Sequence, residues 1–553
     1  MEGEEKLGRN VENRILKESR GKMTRSPGPV SPPLKFIIMH SGKKITMKQV
    51  LLIFAGLIVL PFDTIAQKVT PEKLNQLAME HGKQSLNTLY ELLSLPNDAH
   101  YPADIEKNIQ WCEEAFAKRG FATKRLETST VPLLLAERKA KKATKTVLIY
   151  LQLDGQPVDS TKWFQKSPWI PALKKPDGKG GFTEIDWSNL SGSFDAEWRI
   201  FARSTSDSKG AAMAYLTSLD VMKELKAEPN FNIKVIMDFE EELGSPRLPG
   251  AVVAYKEDLK SDMLIIFDGP RHVSNEPTLT FGARGIATIT LHTFGPRVAQ
   301  HSGHYGNYAP NPALNMAQLL GSMKDNDGRV VIPGFYDGIT FDEKTKAIMA
   351  SVPDDEEFIK KKIGIADIDK VGTNYQESIQ YPSLNIRGMS SGWVGKEVRT
   401  IVPPTATGEI DVRLVMESDP ERLIGLIKEH IKNQGYYVID NREPTEEERM
   451  SKSKIVSFDY EVSYKAFRTD YDTEVGQWLV KAMTKAFGSA PIMIRTGGGS
   501  IPISPFVTTL DIPAVLVPTV NPDNNQHSPN ENIRLGNYVD AIKTFTAIMT
   551  EKL

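Results

Sequence analysis

Three consecutive carboxylates, Glu240, Glu241 and Glu242, follow almost directly on the apolar run Ile233-Lys-Val-Ile-Met237. A β-branched run of that length predicts a strand buried on both faces, and Gly244 just beyond it permits a sharp turn. Adjacent negative charges repel, so these groups must either reach water or share a cation. Other chemistry-bearing residues occupy comparable places. The runs 146–154 and 262–268 end on Asp154 and Asp268, while Ser500 and His527 follow two further short runs. Ligands of open α/β sheets bind at the downstream ends of the strands. Asp207, ahead of a predicted helix, could be an N-cap or a member of the same group. Oxygen donors with an imidazole suit Zn²⁺ or Mn²⁺ in a site with open positions, which is the equipment of metal-assisted hydrolysis.

Composition narrows the field. With 68 Lys+Arg against 70 Asp+Glu, the net charge of -2 leaves no basic stripe, and nucleic acid is not an expected partner. The single cysteine, Cys112, excludes an intrachain disulfide and a thiolate cage, so any metal is held by oxygen and imidazole.

The elements that must position these groups fall into an order. Residues 1–46 are polar, basic and Pro/Ser-rich, and are expected to be an upstream extension. Met47, the apolar run 50–60 and Thr64-Ile-Ala66 before Gln67 have the order of a signal peptide over 47–66. Export to a periplasmic or secreted location is therefore expected. The apolar core is too short to span a bilayer and no cysteine follows it, so no membrane association should survive cleavage. Apolar periodicity predicts helices over 71–94 and 104–119, and 159–198 reads as a long surface excursion. From 281 to 414 period-2 segments predict an antiparallel sheet with one wet face, before the α/β pattern resumes. The expected fold is an α/β hydrolase domain with a mostly parallel sheet (67–280 and 415–553), split by an inserted α+β lid or dimerisation domain (281–414).

Six segments carry a family resemblance: Leu151-Gln-Leu-Asp-Gly-Gln-Pro-Val158, Ala202-Arg-Ser-Thr-Ser-Asp-Ser-Lys-Gly210, Glu240-Glu-Glu-Leu-Gly-Ser245, His301-Ser-Gly-His-Tyr-Gly306, Gly498-Gly-Ser-Ile-Pro502 and His527-Ser-Pro-Asn-Glu531. In this order they resemble the M20 metallopeptidases, in the carnosinase-like dipeptidase branch. The resemblance implies that Asp207 bridges two metals, with Glu242 and His527 completing one site and Asp268 serving the other. It makes Glu241 the general base. It sends His301 across a homodimer formed by the lid to stabilise the partner's oxyanion, with Thr400 a second contact in trans. Arg413 would grip the substrate's terminal carboxylate, together with Gly499 and Ser500.

One position departs from the pattern. Where the family carries a ligand histidine two residues before Asp154, this chain has Gln152, and Ala202 and Ser204 replace usual glycines. A neutral amide oxygen is a poorer Zn²⁺ ligand than imidazole, so one tight metal site and one weakened site are expected, with retuning toward a harder ion such as Mn²⁺. Asp154, which in the family orients that histidine, is expected to accept from the Gln152 amide and turn its oxygen toward a metal. The leading reading is an exported peptidase, of dipeptidase or carboxypeptidase type, acting on a dipeptide or short peptide. An N-acyl amino acid amidohydrolase would use the same metals and base, and a peptide-binding homologue without turnover is the third reading.

Overall fold

The computed structural model describes residues 70–192 and 194–553. The expected extension at 1–46 and the signal segment at 47–66 lie outside the described residues.

The strand Thr146–Gln152 runs through the middle of an eight-stranded sheet. Its side chains alternate between two cores. Val147, Ile149 and Leu151 pack with Met213 and Leu216 of the helix Lys209–Leu225 and with Ile542 and Phe545 of Leu535–Thr550. Leu148 and Tyr150 pack on the other side with Leu248, Val252 and Phe506. Burial on both faces is why the segment is apolar throughout and does not alternate with polar residues. The strand order is 122–126, 133–138, 232–238, 146–152, 263–266, 514–516, 278–280 and 492–494. The four central strands are parallel to one another; 122–126 and 133–138 form an antiparallel edge on one side, and 278–280 meets 514–516 antiparallel on the other.

Parallel register is what gathers the carboxylates. Gln152 pairs with Asp238, and Tyr150 pairs with Ile266. Three adjacent strands therefore end at one level, and the residues just beyond them, Asp154, Glu240–Glu242 and Asp268, emerge along one edge.

A second, five-stranded sheet has the order 383–390, 405–414, 285–294, 455–464 and 437–440. In Gly285–Phe294 and Thr405–Leu414 buried and half-exposed positions alternate. Ala287, Ile289, Leu291, Ile410 and Val412 share a core with the helices Pro312–Gly321 and Pro420–Asn433. The expected lid boundary at 414 falls inside this layer. The apolar face of Pro420–Asn433 (Leu423, Ile424, Ile427, Ile431) packs into the lid core together with Val456 and Phe458, so the chain leaves the lid only after Tyr464.

The segment expected as a surface excursion is partly built into the fold. Ala172–Pro176, Phe182–Glu184 and Arg199–Phe201 form a small sheet with Asn532–Arg534. The pairing of Asn532 with Phe201 brings the last motif of the sequence beside the loop that carries Asp207.

Candidate metal centre

Asp207, Glu242 and His527 each present one ligand atom, and the three atoms lie within 4.8 Å of one another. His527 Nε2 is 2.9 Å from Asp207 Oδ2 and 3.4 Å from Glu242 Oε2. The two carboxylate side chains are buried, whereas the imidazole is 53% exposed, so the trio opens outward through His527.

Each member is held from behind by its own loop. Ser208, not Asp207, precedes the helix Lys209–Leu225 at the cap position, and no side chain caps it. Asp207 is thereby free to face the cleft. The loop before it is tied down by Glu531, a fully buried carboxylate that accepts from the backbone N–H groups of Ser204 (2.9 Å), Ser206 (2.9 Å) and Asp207 (3.0 Å), from Ser206 Oγ and from Arg203 Nη1 (2.7 Å). Ser204 has φ +61°, the left-handed region that glycine adopts most easily, which accounts for a glycine being usual there. Its hydroxyl accepts from Asn97 Nδ2 at 3.0 Å and lies where a side chain on Gly155 would have to go.

The three glutamates do not form a solvated acidic turn, because two of them are committed to different partners and the third is largely buried. Glu240 is buried and accepts from Thr130 Oγ1 at 2.7 Å. Glu242 accepts from Gln156 Nε2 at 2.8 Å and faces His527. The Glu241 carboxylate makes no hydrogen bond or ion pair among the described residues. The turn is a short 3₁₀ segment, Glu241–Leu243, closed by Gly244 at φ +82°. Asp154 secures it by accepting the backbone N–H groups of Glu241 (3.1 Å) and Glu242 (2.9 Å). Beneath it Asp238 accepts from Tyr150 Oη, Ser245 Oγ and Glu240 N. Asp154 is thus not the acceptor for Gln152 that the sequence led us to expect: its oxygens are taken by backbone donors, and the Gln152 amide reaches Asp207 Oδ1.

The electrostatics are those of crowded acids. Burial, then the charges of Asp268 and Asp207, raises the Glu241 carboxyl well above its ordinary value. Burial and Asp207 likewise raise Glu242 and Asp268. His527 is raised by its hydrogen bond to Asp207, which favours the imidazolium. The cluster thus favours any positive charge placed among its oxygens. Two buried carboxylates and an imidazole are a donor set that fits a divalent cation.

A scan of family models matches residues 183–551 to peptidase family M20/M25/M40. The chain belongs to that family. The match includes Asp207, Glu241, Glu242, Asp268 and His527, while Gln152 and Asp154 precede it. Among similar proteins, the human Beta-Ala-His dipeptidase is 27% identical over 76% of this chain and 77% of its own length. The Cys-Gly metallodipeptidase dug1 of Schizosaccharomyces pombe is 26% identical over 76% of this chain and 82% of its own. The crystal structure of an M20 family metallo-carboxypeptidase from Sulfolobus solfataricus superposes with a TM-score of 0.67, at 27% identity, over 84% of this chain and 98% of that one. This M20 chain is a metallopeptidase.

In this M20 enzyme the second position does not fit a cation as the first does. Gln152 is 2% exposed and its Nε2 donates to Asp207 Oδ1, while Oε1 is buried without a hydrogen-bond partner. Asp268 accepts from the Ser208 hydroxyl, which also lies 3.3 Å from Asp207 Oδ1. Neutral N–H and O–H donors therefore satisfy the oxygens that a second cation would use.

The remaining predicted residues lie in or against the lid. Arg413, on Thr405–Leu414, donates from Nη1 to Ser500 Oγ at 2.9 Å, joining the lid sheet to the glycine-rich loop; Gly499 adjoins that contact in the chain. His301 lies on the short strand Gln300–His301, which pairs with Ile401–Val402, and Thr400 immediately precedes that partner strand, with Ser302 N donating to Thr400 O at 3.1 Å. Both are exposed, and no hydrogen bond or ion pair links either to Asp207, Glu242 or His527. Sequence reasoning gave no role to Glu531, Ser208, Gln156 or Asp238. Glu531, Ser208 and Gln156 carried a signal in lying within the quoted motifs, whereas Asp238 lay outside them.

Proposed function

We propose that this metallopeptidase cleaves the amide bond of a dipeptide or short peptide, with Glu241 as the residue that moves the proton. The observation that supports this is the Glu241 carboxylate itself, which makes no hydrogen bond or ion pair among the described residues yet lies within reach of the charges of Asp207, Glu242 and Asp268. The other acids of the turn are committed to partners, so Glu241 is the one able to accept a proton and release it again. Asp207, Glu242 and His527 would hold a divalent cation, Zn²⁺ or Mn²⁺, whose chemistry is to polarise a carbonyl and acidify water. Glu241 takes a proton from the attacking water and returns it to the leaving amine. Arg413 and Ser500 supply donors suited to a peptide's terminal carboxylate, for which a planar guanidinium is well shaped. The names of the two dipeptidase relatives support a small peptide as substrate. The test is hydrolysis of a dipeptide panel by protein of measured metal content. Cleavage should require metal and should weaken when the C-terminal carboxylate is amidated. Hydrolysis of N-acyl amino acids with no dipeptide cleaved would replace this reading by a deacylase.

We further infer that the lid makes a homodimer and that His301 and Thr400 serve the partner's site. Ser383–Ser390 is an edge strand of the lid sheet, and Met389, Trp393, Val394 and Val398 along and beyond it are exposed. An unpaired edge rimmed by apolar groups is a ready surface for pairing. If His301 acts across the dimer, His301→Ala and Glu241→Gln proteins, each inactive, should regain part of their activity when mixed and allowed to exchange subunits. Confirmed heterodimers with no recovered activity would show that each site is self-contained.

A further inference from the structure

A cavity of about 540 Å³ lies in the lid layer, walled by the segment from Glu356 to Leu384 and by Arg284. Neither Asp207, Glu242 and His527 nor Arg413, Gly499 and Ser500 lines it, although it adjoins Arg413, which pairs with Ser383 of its wall and whose charge reaches Arg284. Its size is that of a small-molecule pocket. Part of its wall is aliphatic, including Ile359, Val371 and, at the rim, Ile365 and Ile368, which are 41% and 47% exposed; of the carboxylates in the wall, Glu356 accepts from Tyr375 N and Asp369 pairs with Lys324.

The chemistry of the cavity is set by Arg284. The residue is 8% exposed; Nη2 donates to the Tyr381 carbonyl at 2.7 Å, and Nε has no partner. No carboxylate lies within ion-pair distance of it among the described residues. Asp411, whose charge does reach it, is already 3.7 Å from Arg413 Nε and accepts from Asn385 at 2.8 Å. The rim lysines are not in the same position, since Lys324, Lys360 and Lys370 pair with Asp369, Glu357 and Asp327. A buried guanidinium short of counter-charge, beside an aliphatic stretch of cavity wall, is an anion site with hydrocarbon next to it.

We propose that this cavity binds a small apolar carboxylate, its carboxylate on Arg284 and its hydrocarbon body against Ile359, Ile365 and Ile368. The claim is independent of the peptidase reading. It is tested by titrating the whole protein with hexanoate, and with hexanamide as the neutral counterpart, in a calorimeter. Hexanoate should bind, and hexanamide should bind about tenfold more weakly or worse, because a hydrogen bond to a charged group is lost. Arg284→Met should weaken hexanoate by a similar factor. Ile368→Glu, at an exposed rim position that the fold tolerates, should do so by placing a like charge at the entrance. Arg413→Met should leave binding intact. No binding of hexanoate at millimolar concentration would overturn the proposal. So would equal binding of hexanamide, full binding by Ile368→Glu, or loss of binding in Arg413→Met, which would move the ligand to the substrate's carboxylate site.

Discussion

Glu241→Gln should lower kcat by about 10²–10⁴-fold, the usual contribution of general acid–base catalysis, while leaving fold and metal content unchanged. The side chain it alters makes no hydrogen bond or ion pair, so the isosteric amide disturbs no contact. The backbone N–H of residue 241 still donates to Asp154, and the turn keeps its shape. What the amide cannot do is accept a proton. Glu242→Gln is the informative contrast. Its oxygen lies 3.4 Å from His527 Nε2 and accepts from Gln156, so replacing it removes one of the three gathered ligand atoms. That variant should lose metal as well as rate. Metal analysis of the two purified variants separates the roles. Equal metal loss in both would mean that Glu241 is a ligand and that the base lies elsewhere.

The parts of this centre that the sequence revealed are those set by local pattern. Strands 146–152, 232–238 and 263–266 were legible because burial on both faces forces an unbroken apolar run, and parallel pairing then aligns whatever follows them. Asp154, Glu241, Glu242 and Asp268 needed no more than that. Contacts set by tertiary packing were not legible. Glu531 lies more than three hundred residues from the loop it clamps, and only the pairing of Asn532–Arg534 with Arg199–Phe201 brings it there. The partner of Asp154 was misread for a similar reason. Gln152 and Asp154 are close in sequence, but the donors that Asp154 accepts come from the 3₁₀ turn of a neighbouring strand. The lid boundary was placed too early because Pro420–Asn433 is amphipathic, and amphipathicity alone does not say which of two cores a helix joins.

Wild-type protein should bind one divalent metal tightly per chain, and freeing the second position should take two changes. The first site has two buried carboxylates and an imidazole. The second would consist of Asp207, Asp268 and Gln152, and there the Gln152 amide already donates to Asp207 while the Ser208 hydroxyl donates to Asp268. Gln152→His supplies the missing imidazole, and the burial that leaves Gln152 Oε1 without a partner should favour a side chain that can bind a cation. The new ring will not find Asp154 free to orient it, since those oxygens hold the Glu241 and Glu242 backbone. Gln152→His alone should therefore strengthen the second site only in part. Adding Ser208→Ala removes the competing hydroxyl from Asp268, and the double variant should bind two metals per chain. Calorimetric titration with Mn²⁺, checked by metal analysis, reads the stoichiometry directly and does not depend on turnover. Two equally tight metals on the wild-type chain would make Gln152 a full ligand through its oxygen. A double variant that still binds one would mean that neither the Gln152 amide nor the Ser208 hydroxyl is what excludes the second ion.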